Sequence, residues 1–286
     1  MKDIRPKAFL NCTWLTSVVL QEGVTYIPDF AFEGCSSLVS VTFPEGLEKI
    51  DWRAFRDCSS LVSVEIPEGV DSIEEAAFAG CSSLVSVSLP HSLEWWGGYV
   101  FAGCASLVSL SITKGVKFIP PGTFTRCQSL VFVKLPEGLD TIEIEAFSDC
   151  ESLVAAVLPR SDVSIKIYET SFQNCPRLVR VVAPVKLEIV KRVLDDEIEE
   201  TYDAPGDSLA NVFTGCPLLT PPTYVTSHTP AAVIAAQRLE YWTPSTHQQL
   251  CDPVRRRWVF FAVLVLKQLE LPRVVLLTVL TMLKRH

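Results

Sequence analysis

Cysteine recurs every 23 residues, at Cys12, Cys35, Cys58, Cys81, Cys104, Cys127 and Cys150. A phenylalanine stands three places before each (Phe9, Phe32, Phe55, Phe78, Phe101, Phe124, Phe147) and a leucine three places after (Leu15, Leu38, Leu61, Leu84, Leu107, Leu130, Leu153). The register continues more loosely through Phe172, Cys175 and Leu178, then through Phe213, Cys216 and Leu219. A fixed period of this length means that the chain winds in equal coils. One coil cannot bury its apolar edge alone, so equivalent residues must stack on one another from coil to coil. The last gap, 41 residues, is one repeat plus about 18, and the surplus holds the acidic run Asp195-Asp196-Glu197-Ile198-Glu199-Glu200.

One unit reads Cys35-Ser-Ser-Leu38-Val-Ser-Val41-Thr-Phe43-Pro44-Glu-Gly46-Leu47-Glu-Lys-Ile50, followed by Asp-Trp-Arg-Ala54-Phe55. Apolar and polar residues alternate from Val41 to Phe43, which predicts a strand. Pro44 has no N–H to give a ladder and ends it, and Gly46 supplies a turn. The expected fold is a β-rich solenoid of short parallel strands over residues 1–220, interrupted by an insertion at about 186–205. With about 4.8 Å between coils, nine coils make a rod of roughly 40 Å. The unit A-F-x-x-C-S-S-L-x-S-V-x-[FIL]-P-x-G-[LV]-x-x-I resembles the BspA-like leucine-rich repeat. The resemblance covers residues 1 to 185 well and about 205 to 220 weakly. It implies adhesion or protein–protein contact, and brings no catalytic residues with it.

The residues themselves give no sign of catalysis. The cysteines on the repeat register read as a column of small buried hydrophobes. Stacked neighbours lie close enough for a disulfide, but parallel side chains from equivalent backbone positions rarely reach the required torsion, so free thiols are expected. Metal sites need short Cys-x-x-Cys or Cys/His clusters, which a 23-residue spacing does not offer. The four histidines, His91, His228, His247 and His286, are not paired at ligand or general-base spacing. No nucleophile elbow, phosphate loop, dinucleotide fingerprint or His-Glu-x-x-His occurs. No enzyme activity, metal or cofactor is therefore expected. The sequon Asn11-Cys12-Thr13 lies within a coil and reads as coincidental.

The net charge of −8 and pI near 5.1 argue against nucleic-acid binding, which needs clustered Lys and Arg. The first ten residues carry no apolar signal core, and no stretch reaches the roughly 18 uncharged apolar residues of a membrane span. A cytoplasmic location is expected, in keeping with a reduced thiol column; an upstream signal would make the protein a surface or secreted adhesin instead.

Two candidate binding features remain, both directed at another protein. The first is a smooth strip of small side chains: Val39, Val62, Val85, Val108, Val131, Val154 and Val179 in one column, with Ser17, Ser40, Ser63, Ser86 and Ser109 beside it. Its size could approach the roughly 800 Å² per partner of a standard interface, although valines also serve strand propensity alone. The second is the irregular junction Leu93-Glu-Trp95-Trp96-Gly97-Gly98-Tyr99-Val100-Phe101. Trp96 takes the core isoleucine place. Trp95 takes a position held by Lys49, Ser72 and Thr141 in other coils and should face outward, with Phe118 one coil on. Trp95, Phe118 and Tyr99 form an aromatic patch suited to anchoring a partner, or to packing within the chain.

The ends differ from the middle. Ile4 and Phe9 already occupy core columns, so the first coil is expected to present an uncapped apolar edge, open to pairing with another chain or domain. Residues 221–286 lose the repeat. Asp252-Pro253 is an N-cap followed by proline at the first helical position, and residues 251–286 carry a local charge of +5. A helical C-terminal cap is expected. Leu271 to Leu283 also resembles the opening helix of an F-box, which would imply a ubiquitin-ligase substrate receptor. Val274 stands where an acidic residue is usual, and a single helix of that module is present. A basic amphipathic pair lying on a membrane is a further reading of this region.

Overall fold

The structure, a computed structural model, describes residues 4–159, 165–182, 187–192, 199–203 and 212–219. The expected helical cap at 221–286 and the F-box-like segment lie outside the described residues. The described chain is a parallel solenoid in which each coil contributes two short strands and one tight turn segment.

The first row of strands comprises Ser17–Val19, Ser40–Thr42, Ser63–Glu65, Ser86–Ser88, Ser109–Ser111, Phe132–Lys134, Ala155–Val157 and Arg180–Val182. Neighbours within its ladders are parallel and in repeat register, as in Val18 opposite Val41 and Val64 opposite Val87. The second row comprises Tyr26–Ile27, Lys49–Ile50, Ser72–Ile73, Trp95–Trp96, Phe118–Ile119, Thr141–Ile142, Ile165–Tyr168 and Leu187–Arg192. Here too the partners follow the period: Ile27, Ile50, Ile73 and Trp96 lie in one line. In most coils a proline soon after the first strand, such as Pro44, Pro67, Pro90 and Pro136, helps end it after three residues, which keeps the coil small.

The third side is not β. Two residues per turn take positive φ, one column running Lys7, Phe30, Arg53, Ala76, Tyr99, Gly122 and Glu145, the other Asn11, Gly34, Asp57, Gly80, Gly103, Arg126 and Asp149. Alternating these with right-handed residues points every second N–H along the solenoid axis. Phe9, Phe32 and Phe55 donate to the carbonyls of Ala31, Ala54 and Ala77 in the following coil, each at 2.8 Å. The second column is filled by Gly, Asn and Asp at most coils, the residues that enter this region at least cost. Asn11, the sequon acceptor, belongs to it and is exposed.

Inside, the columns are continuous. Cys35 through Cys175 are buried, and the nine cysteines among the described residues are free thiols. The phenylalanine rings stack from Phe9 to Phe213, with centroids 5.1 to 5.8 Å apart. Burying one such ring contributes about 1.5–3 kcal/mol.

The segment expected as an insertion starts as an ordinary coil. Leu187–Arg192 continues the second row, with Ile189 opposite Ile167, and only then does the chain return as Glu199–Asp203, antiparallel to it. The register sets Lys191 opposite Glu200 and Arg192 opposite Glu199.

Candidate interaction surface

The aromatic patch lies on the second row. Trp95 and Trp96 are adjacent strand residues, so their side chains take opposite faces. Trp96 is buried in the isoleucine column and its indole N–H donates to the carbonyl of Phe118 at 2.9 Å. Trp95 is 52% exposed. Its ring centroid is 5.6 Å from that of Phe118, with the planes tilted by 53°. Phe118 is half-buried, because the Trp95 ring covers part of it. The two rings occupy a column that is Lys49 and Ser72 before them and Thr141 and Lys166 after them.

The two residues that follow Trp96 are glycines, and each lies close against a neighbouring coil. A side chain at Gly97 would meet the main chain of Glu75, and one at Gly98 would press on the carbonyl of Pro121 at 3.2 Å. In the same positions other coils have Asp51-Trp52 and Glu74-Glu75, and the fifth has Pro120-Pro121. The two coils that present the aromatic pair are therefore without charge along this edge.

Tyr99 follows at a positive φ of 59° and lies at the corner between the second row and the turn side. Its ring covers Gly122, where any side chain would collide with it. Burial, and then the nearby Glu145 and Glu75 carboxylates, push the phenol above its ordinary pKa. Beyond it the turn side opens into a groove of ≈ 490 Å³ bordered by Arg56, Asp57, Arg126 and Asp149, with Gly80 and Gly103 among its lining residues. The sequence reading did not find this groove. Its signal was the succession of two glycines, Gly80 and Gly103, in a column that elsewhere runs Asn11, Gly34, Asp57, Arg126 and Asp149.

The valine strip is a different surface. Val39, Val62 and Val108 are exposed by 47%, 44% and 42%, Val85 and Val131 are half-buried, and the serines at 17, 40, 63 and 86 are exposed. Val154, expected on this strip, is instead buried, as are Phe132 and Ala155. Phe132 replaces the serine of earlier coils and pairs in register with Ala155, so the outward row becomes apolar and closed there. The strip borders the first row and the aromatic pair the second, so the two candidate features belong to separate sheets.

The first described coil carries a further exposed apolar group: Trp14 at 73% and Val19 at 74%, with Phe9, Cys12 and Leu15 only partly buried where their equivalents in later coils are closed.

The family comparison agrees with this architecture. The family model for the BspA type leucine rich repeat region matches in six copies over residues 2–131 and 96–194. No curated protein matches the chain. Among solved structures, the chain is similar to a leucine rich cell surface protein of Faecalibacterium prausnitzii at 26% identity and a TM-score of 0.42, over 63% of this chain and 62% of that one. It thus spans less than two thirds of that protein's length. It is also similar to a leucine-rich repeat protein of T. pallidum at 25% identity and a TM-score of 0.45, over 79% and 84% of the two chains. A leucine-rich repeat protein of Bacteroides ovatus matches at 19% identity and a TM-score of 0.47, over 76% and 80%. With the repeat, the coil geometry and the matched residues in agreement, the chain belongs to the BspA-type leucine-rich repeat family.

Proposed function

We propose that the protein is a non-enzymatic scaffold that binds another protein, with Trp95 and Phe118 as the anchor and Tyr99 at its margin. One observation carries this reading: an exposed tryptophan rests on a second aromatic ring in a column that holds Lys49 and Ser72 before the pair and Thr141 and Lys166 after it. A large ring left in water has apolar area to lose on association, and tryptophan and tyrosine dominate the energetics of protein interfaces. The two rings support each other, so little side-chain freedom remains to be lost when a partner closes over them. The valine strip on the other sheet is a flat secondary contact area. The reduced thiol column suits a reducing compartment, and an acidic surface does not favour nucleic acid.

The test is a pull-down with the full chain and with the Trp95→Ser/Phe118→Ser double variant. Trp95 projects from the surface and Phe118 is half-buried beneath it, so circular dichroism of the variant must first show that the fold is retained. The proposal expects the partner to be lost from the variant. Unchanged recovery would contradict it.

Pairing through the first coil is a second contact, favoured by the exposure of Trp14 and Val19. Sedimentation of the full chain against Trp14→Ser/Val19→Ser should then show self-association lost in the variant.

A further inference from the structure

We infer that the segment bound at the Trp95–Phe118 pair is basic, a stretch of polypeptide that sets an apolar or aromatic side chain between lysines or arginines. This rests on the aromatic pair being the contact, as proposed above. The charge around the pair is lopsided. Asp71 and Glu94 are exposed in the column that precedes the ring column, and Glu75 and Glu145 are exposed beyond it on the Tyr99 side. Both of the latter are near enough to the phenol to disfavour its ionisation, and the groove beyond it is of mixed charge, lined by Arg56 and Arg126 as well as Asp57, Glu145 and Asp149. Of the cations nearby, Lys49 is held by Asp51 and Glu74 at 2.9 and 3.0 Å, and Lys117 stands exposed between Glu94 and Asp140 in its column.

This is not simply the acidity of the whole molecule. On the first row, the outward strand positions from Ser17 to Ser88 hold one charged residue, Glu65. On the second row the outward strand positions from Tyr26 to Thr141 hold no carboxylate; the acidic residues flank those strands instead, as Asp71, Glu74, Glu75 and Glu94 do around Ser72 and Trp95. An aromatic face attracts a cation through its quadrupole, and a carboxylate attracts it through its charge, so a lysine or arginine satisfies both at one place. The protein already uses the first half of this arrangement within itself. The Arg53 guanidinium lies 4.4 Å from the Trp52 ring centroid and the Lys7 ammonium 5.2 Å from that of Phe30. Trp95 has no such internal cation among the described residues, and its exposed ring is free to take one from outside.

The experiment selects random twelve-residue peptides displayed on phage against the immobilised full chain, then measures the enriched peptides as fluorescein-labelled synthetic probes. The expected result is enrichment of sequences with two or more Lys or Arg within three positions of an aromatic, aliphatic or proline residue. Their affinity should fall roughly tenfold or more in Asp71→Asn/Glu75→Gln/Glu94→Gln, and similarly on raising salt from low to molar concentration. Enrichment of neutral or acidic peptides, no enrichment, or binding indifferent to the three carboxylates overturns the inference. The two readings fail separately. Neutral peptides whose binding is lost in Trp95→Ser/Phe118→Ser remove the basic partner and keep the aromatic anchor, whereas peptides that bind that variant undiminished remove the anchor itself.

Discussion

The thiol of Cys58 donates to the main-chain oxygen of Phe32, one coil earlier, across 3.2 Å. The same bond recurs from Cys81 to Phe55, Cys104 to Phe78, Cys127 to Phe101 and Cys150 to Phe124 at 3.2 to 3.4 Å. Each phenylalanine carbonyl already accepts the N–H of the cysteine in its own coil, as Phe32 does from Cys35 at 3.1 Å, and a second lone pair remains. Cysteine fills that place because it is small, apolar and still a weak donor. The column therefore serves packing and polar satisfaction together.

These thiols make the protein sensitive to alkali. Burial raises Cys35 to about 11 from an ordinary 9.0 and pushes Cys58, Cys81, Cys104 and Cys127 up as well. Between pH 9 and 11 the folded chain keeps protons that the unfolded chain releases, so stability is intact below about pH 9 and falls as pH rises above it. Each fully retained proton contributes a slope of about 1.4 kcal/mol per pH unit. Urea midpoints measured from pH 7 to 10.5 should fall steeply above 9, and a flat profile would contradict the buried column. At pH 8, a thiol reagent should modify half-exposed Cys12 readily among the described cysteines and the buried ones only after unfolding.

Gly80 and Gly103 are neighbours in one positive-φ column but should respond differently to alanine. Both pay for a left-handed β-carbon, about 1–2 kcal/mol. At Gly80 the new methyl also meets the Asp57 carboxylate, whereas at Gly103 its nearest neighbours are backbone atoms of Gly80 at 3.8 Å. Denaturant unfolding should find Gly80→Ala the more costly, and adding Asp57→Ala should restore only the part due to the collision. Equal losses at both sites would show that no collision occurs.

Phe101 stacks between Phe78 and Phe124 and is fully buried. Phe101→Ala should cost about 3–5 kcal/mol. Coils touch only their neighbours, so the defect should also uncouple the two sides of the solenoid and turn one unfolding transition into two. Urea unfolding followed by far-ultraviolet circular dichroism reads both effects.

Trp96→Phe keeps most of the buried ring and removes the indole N–H that reaches the Phe118 carbonyl. The expected loss is about 1–2 kcal/mol, mainly from that carbonyl losing a partner. Trp96→Ile restores the residue typical of the column but leaves more space empty, and should cost more than Trp96→Phe when both variants are compared by thermal unfolding.

The period alone made the buried columns of Cys12 to Cys150, Phe9 to Phe147 and Leu15 to Leu153 legible, because a strict repeat converts sequence distance into vertical stacking. The positions of Trp95 and Trp96 on opposite faces followed from the alternation of a strand. The turn side was harder to see. Its column of Asn11, Gly34, Asp57 and Gly80 carried a signal for positive φ, but Lys7, Phe30, Arg53 and Tyr99 adopt the same conformation with no residue preference to announce it; the hydrogen bonds between coils hold them there. The return strand Glu199–Asp203 was hidden by its acidic composition, and Leu187 and Ile189 were the overlooked sign that the solenoid continued past residue 186. Burial at Phe132 and Val154 depends on tertiary surroundings that a repeat pattern does not encode.

The most direct measurement of the functional account is site-specific photo-cross-linking in the cell, with p-benzoylphenylalanine placed at position 95 on the aromatic pair and, separately, at the exposed turn position Glu45 between the two rows. The account predicts a discrete partner adduct from position 95 that is absent at position 45. An adduct from position 45 alone, or none from position 95, would contradict it.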